Sequence, residues 1–122
     1  MALEDFLENL KKINGYKASA IMNFTGEILV QNSVDEQIDL GMVGATFNDI
    51  FRSAHEASTK IGLEACNEAV IGTPKGVIIM KCSGVNSKSH FHLIAIVSQD
   101  GNQALIKMEL NKMLEPIMTE LA

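Results

Sequence analysis

Residues 91–110 read FHLIAIVSQDGNQALIKMEL, a strand that runs through a polar turn straight into a helix. Phe91, Leu93, Ala95 and Val97 alternate on one strand face, which leaves His90, His92, Ile94 and Ile96 on the other. Beyond Asp100-Gly101-Asn102, the apolar residues Ile106, Leu110, Met113, Leu114, Ile117 and Leu121 recur at helical spacing. This join closes an order of elements that few small domains share, and it contains no obvious catalytic group.

Working back from it, His90 to Ser98, Val77 to Cys82 and Ala65 to Gly72 read as three strands of an antiparallel meander, with Thr73-Pro74-Lys75-Gly76 as one turn. Roughly Ile38 to Ile61 carries the longest helical periodicity, with Gly62 placed to end it. Tyr16 to Phe24 and Glu27 to Asn32 form a hairpin around Thr25-Gly26. Leu3, Phe6, Leu7, Leu10 and Ile13 make an opening amphipathic helix, its acidic residues early and Lys11 and Lys12 late, as the helix dipole favours. The expected fold class is α/β, in the order α-β-β-α-β-β-β-α. No repeat or linker divides the chain, so residues 1–122 are expected to form a single domain.

At 122 residues the chain is long enough to bury about 65% of its unfolded surface without disulfide or metal staples. One Tyr, five Phe and no Trp leave the core to Ile, Leu, Val, Met and Ala. A net charge of −5, with Arg52 the only arginine, supplies no basic face for a phosphate backbone, so nucleic acid is excluded as the expected partner. No apolar run approaches the roughly 18 residues of a membrane helix and no leader pattern opens the chain. A cytoplasmic location is therefore expected, where Cys66 and Cys82 would remain thiols.

On the long helix, Leu40, Val43, Phe47, Ile50, Phe51, Ala54 and Ile61 gather within about 100° and are expected to face the sheet. The opposite side begins with Ile38, Met42 and Ala45 and continues with Asp49, Arg52 and Glu56, so its first half is apolar where a lone surface helix should be polar. Between the faces runs a seam of mostly small residues, Gly41, Gly44, Asn48 and Arg52. Two interior glycines cost about 2 kcal/mol relative to alanine, which close approach of a symmetric copy would offset. A later helix start, near Gly44, is the alternative.

Catalytic chemistry is poorly supported. His55 and Glu56 are successive helical residues pointing about 100° apart and cannot by themselves form a relay with Ser53. They read as a solvated helix flank. Paired carboxylates sit in a connection and a first helical turn, and no phosphate-binding glycine loop occurs. Cys66, Cys82 and His90 or His92 on adjacent strands have the chemistry of zinc ligands, but their spacing matches no zinc motif. The expected reading is two small buried thiols and a solvated histidine pair, with no metal and no cofactor; a metal, redox or ligand sensor is the rival.

The opening helix LEDFLENLKKINGYKASAIM, the hairpin segment FTGEILV, the small-residue helix and the closing VSQDGNQALIKMELNKMLEPI together resemble the Roadblock/light-chain-7 family over nearly the whole chain. The resemblance implies a five-stranded antiparallel sheet, Roadblock/profilin-like, with the second helix on one face and the terminal helices on the other. It implies a dimer in which second helices pair and sheets join. It further implies a regulator or adaptor of small Ras-like GTPases, without a catalytic centre of its own, or a passive scaffold such as a dynein or lysosomal-complex light chain. Carried onto this chain, the dimer surface would be Ile38, Gly41, Met42, Gly44, Ala45 and Asn48. Asp49, Arg52 and Glu56 would lie at its edge for a partner, with Arg52 the only side chain able to imitate an arginine finger.

Overall fold

The computed structural model describes residues 2–122. Its elements are α1 (Leu3–Glu8), β1 (Tyr16–Asn23), β2 (Ile28–Ser33), α2 (Leu40–Lys60), β3 (Glu68–Thr73), β4 (Gly76–Cys82), β5 (Phe91–Val97) and α3 (Gln103–Leu121). The five strands form one antiparallel sheet in the order β2-β1-β5-β4-β3, so the first hairpin and the later meander join through β1 and β5. The predicted element order and sheet are those observed. Among the described residues, no helix is long and apolar enough to cross a membrane.

Strand alternation splits the core between the two sheet faces. Ile21, Ile79, Phe91, Leu93, Ala95 and Val97 pack under α1 and α3, meeting Leu7, Leu10, Ile106, Leu110 and Ile117. Ala18, Ala20, Met22, Ile78, Met80 and Ile94 pack under α2, meeting Leu40 and Phe51. The face assignment of β5 made from alternation alone is the one seen.

Two boundaries depart from expectation, and a third decides between two readings. The α-helical geometry of α1 ends at Glu8, after which Leu10, Lys11 and Ile13 bond to carbonyls three residues back. That tightening keeps Leu7, Leu10 and Ile13 on one buried side at threefold spacing. β3 pairs only from Glu68 onward, because Ala65 and Cys66 turn instead toward α2. The long helix begins at Leu40, and not near Gly44: the Asp39 carboxylate accepts from the Met42 amide and caps it.

Where β1 begins and α3 is about to start, two backbones touch. A Cβ on Gly15, at φ +89°, would lie 2.5 Å from the Cα of Gly101, so both positions exclude side chains. This contact seats the Asn102 cap of α3, whose side chain accepts from the Leu105 amide, against the start of the sheet.

Candidate functional site

The long helix is rotated relative to its hydrophobic pattern. Its buried residues are Leu40, Gly44, Asn48, Phe51 and His55, a stripe at i, i+4, i+8, i+11 and i+15. Of the expected core face, Leu40 and Phe51 are buried and Val43, Phe47 and Ala54 are half-buried, but Ile50 and Ile61 are exposed. Gly44 and Asn48, assigned from sequence to a dimer seam, face the chain's own sheet instead. A Cβ on Gly44 would stand in ordinary contact with Met22 Sδ at 3.5 Å and Ile28 Cδ1 at 3.6 Å. Asn48 is fully buried, where its Nδ2 donates to the Phe24 carbonyl at 2.9 Å. Gly26, at φ +96°, turns the first hairpin directly over Asn48, which stands 3.2 Å from where a Cβ would sit.

The outward side of α2 carries Gly41, Met42, Ala45, Asp49, Arg52 and Glu56, all exposed, with Ile38 half-buried just before the helix. Asp49, Arg52 and Glu56 fall within about 60° of the helix circumference. Among the described residues Arg52 makes no ion pair. Beside this face, Ile38, Val43, Phe47, Ile78 and Ile96 line an open groove of about 370 Å³ between α2 and the meander. Met42 (66% exposed) and Ile50 (47%) stand exposed on α2, and β3 forms the sheet edge, with half-buried Ala69 and Ile71 on the α2 face and Val70 on the opposite one.

Beneath α2 lies a second constellation, whose histidines sequence reasoning placed on the surface. Cys82 of β4 is the cross-strand partner of His92 in β5. His92 is fully buried and His55 nearly so, while Phe51 packs against both imidazoles at centroid distances of 4.9 and 4.6 Å. His90 stacks flat on Phe24, with ring centroids 4.8 Å apart. Its Nε2 lies 3.3 Å from Cys82 Sγ. His55 Nδ1 meets Cys66 Sγ at 2.9 Å, and His92 Nδ1 meets Asn48 Oδ1 at 2.6 Å. The ligand atoms of His55, Cys82, His90 and His92 all lie within 4.8 Å of one another.

Burial sets the protonation of this cluster. It pulls the His92 pKa down to about 3, helped by the neighbouring His90, His55 and Arg52, and it lowers His90 and His55 as well. It also pushes the Cys82 thiol up. His92 is therefore neutral with one ring proton. That proton sits on Nδ1, because the Asn48 oxygen can only accept. His92 Nε2 is left as a bare lone pair in the interior, and both it and His55 Nε2 lack any hydrogen-bond partner. The expectation of solvated histidines fails here because residues far apart in sequence pair with one another: Asn48 and His92 are separated by 44 positions.

A sheet in the order β2-β1-β5-β4-β3, with α2 on one face and α1 and α3 on the other, is the Roadblock/LC7 fold. The chain superimposes on a Roadblock/LC7 domain from Streptomyces avermitilis with a TM-score of 0.84, at 10% identity, over 99% of this chain and 98% of that one. It is similar to an MglB with a tetrameric arrangement (TM-score 0.83, 12% identity, 95% and 85% coverage) and to MglC from Myxococcus xanthus (0.68, 21%, 98% and 99%). No protein-family model and no curated protein sequence matches the chain.

Proposed function

We propose that this chain is a dimeric Roadblock-type regulator or adaptor, which binds a small Ras-like GTPase or its complex and modulates the GTPase's nucleotide state or location. The observation that carries the reading is the exposed apolar border formed by Met42 and Ile50 of α2, beside the free edge of β3. A two-fold copy would continue the sheet across β3 and bring the two α2 helices together over the groove, covering this border. Ile38, Gly41, Met42 and Ala45 belong to that interface, together with Ile50. Gly44 and Asn48 do not, since their own sheet occupies them. The fold shared with MglB and MglC supports both the self-association and the GTPase system.

Asp49, Arg52 and Glu56 form the partner-facing stripe. Regulation then acts by positioning, through tighter binding to one switch conformation of the GTPase than to the other. The test is solution mass by light scattering of wild type and Ile50→Asp, followed by titration with small Ras-like GTPases loaded with GDP or a GTP analogue. A wild-type dimer, a folded Ile50→Asp monomer and nucleotide-dependent binding are expected. A wild-type monomer defeats the dimer, whereas equal binding of both nucleotide states makes the chain a passive scaffold.

A further inference from the structure

We propose that His55, Cys82, His90 and His92 form a closed binding site for a zinc-class transition-metal ion, which clamps α2 onto β4 and β5. The donor set is three imidazoles and one thiolate, the nitrogen and sulfur ligands that zinc takes in four-coordinate structural sites. Their ligand atoms already lie within 4.8 Å of one another. Tetrahedral bonds of about 2.0–2.3 Å put ligand atoms about 3.5 Å apart, so the site closes on an ion with side-chain movements of about 1 Å.

The orphaned nitrogens point to the same conclusion. A buried polar atom without a partner costs about 1–3 kcal/mol, and few survive in a native interior unless an ion or water satisfies them. Here two stand together, His55 Nε2 and His92 Nε2, in a cluster whose other two members already touch through His90 Nε2 and Cys82 Sγ. The outer contacts are those of a metal-bound histidine pair. Asn48 Oδ1 accepts from His92 Nδ1–H and turns the free Nε2 inward, and Cys66 Sγ occupies Nδ1 of His55 in the same way. Cys66 is thus assigned to orienting His55 and not to the metal. On ligation Cys82 surrenders its thiol proton to solvent, the imidazoles bind as neutral donors, and the site holds Zn²⁺ with a net charge of one.

The clamp follows from placement. His55 lies toward the C-terminal end of α2, Cys82 at the end of β4, His90 just before β5 and His92 at its start. One ion therefore ties three elements and the polar loop 83–90 together. This inference is independent of the GTPase reading, because it requires neither the outer face of α2 nor a second copy.

The experiment uses the full chain stripped with chelator and titrated with Zn²⁺, and with Co²⁺ as a spectroscopic probe. We expect one zinc per chain, a tetrahedral cobalt spectrum with a thiolate-to-metal charge-transfer band, and a raised Tm for the zinc-loaded protein. Cys82→Ser should abolish that band and weaken zinc binding by about 100-fold or more, whereas Cys66→Ser should keep the band and weaken binding by at most about 10- to 100-fold. Absence of stoichiometric zinc in wild type overturns the site, as does a cobalt spectrum lacking the thiolate band. The wild-type cobalt spectrum decides the question even if a variant fails to fold. Equal losses in the two cysteine variants would overturn the ligand assignment.

Discussion

The two faces of the sheet are built on different principles. Under α1 and α3 the interior is hydrocarbon, with Leu7, Leu10, Leu93, Ile106 and Leu110 filling the space between helices and strands. Under α2 the hydrocarbon layer gives way, toward the end of β4, to Asn48, His55, His92 and Cys82. A face that serves only stability has no reason to bury two imidazoles beside a thiol, with a third half-buried against it, because each polar atom there must find a partner or cost free energy. The contrast assigns stability chiefly to the α1/α3 face and specialised chemistry to the α2 face.

The largest expected effect lies on the hydrocarbon side. Leu110 is fully buried, and Leu110→Ala should destabilise the chain by about 3–4 kcal/mol through lost transfer energy and an unfilled cavity. Chemical denaturation measures the loss, and zinc stoichiometry should be unchanged in the folded fraction. If that variant also lost its metal binding in proportion, the two faces would be acting as one unit and the division would fail.

Next comes Asn48→Ala on the α2 face, expected to cost about 2 kcal/mol. The substitution strands the Phe24 carbonyl and the His92 Nδ1–H, which Asn48 satisfies at 2.9 and 2.6 Å. Unlike Leu110→Ala, it should also reduce metal affinity, since His92 would lose the contact that orients its ring. A cost under about 0.5 kcal/mol, as for an ordinary surface change, would show that water replaces the amide without penalty.

These two variants also mark what the sequence could and could not convey. Period-two alternation placed Leu93 and Ile94 on opposite faces of β5, because both faces bury apolar residues and the pleat permits no other division. The rotation of α2 was not legible by the same logic. Its pattern of large apolar residues centres near Phe47, yet the side pressed on the sheet runs through Gly44, Asn48 and His55. Glycine shows no hydrophobic preference, though its lack of a side chain lets the helix approach Met22 and Ile28. Asn48 and His55 look like surface residues until their distant partners, His92 and Cys66, are known. The stripe of Leu40, Gly44, Asn48, Phe51 and His55, at spacings of four, four, three and four, was the available signal, and hydrophobicity alone gives it no weight.

The smallest effect expected returns to the α1/α3 side, where polar groups sit at the margin instead of within. Lys81 of β4 donates to Glu68 of β3 at 2.7 Å, and this bond, with the further charge of Lys107 on α3, holds the Glu68 carboxyl below its usual range. A folded pKa below the unfolded value means that the unfolded chain binds the proton first. The contribution of Glu68 is therefore present above about pH 4.5 and fades as pH falls through the lower folded pKa. Wild type should be slightly more stable than Glu68→Gln at neutral pH, with the gap closing in acid. The histidines titrate in both proteins, so taking the difference between the two denaturation curves removes them. A gap that instead stayed constant from neutral pH to pH 3 would show that Glu68 acts through packing and not through its charge.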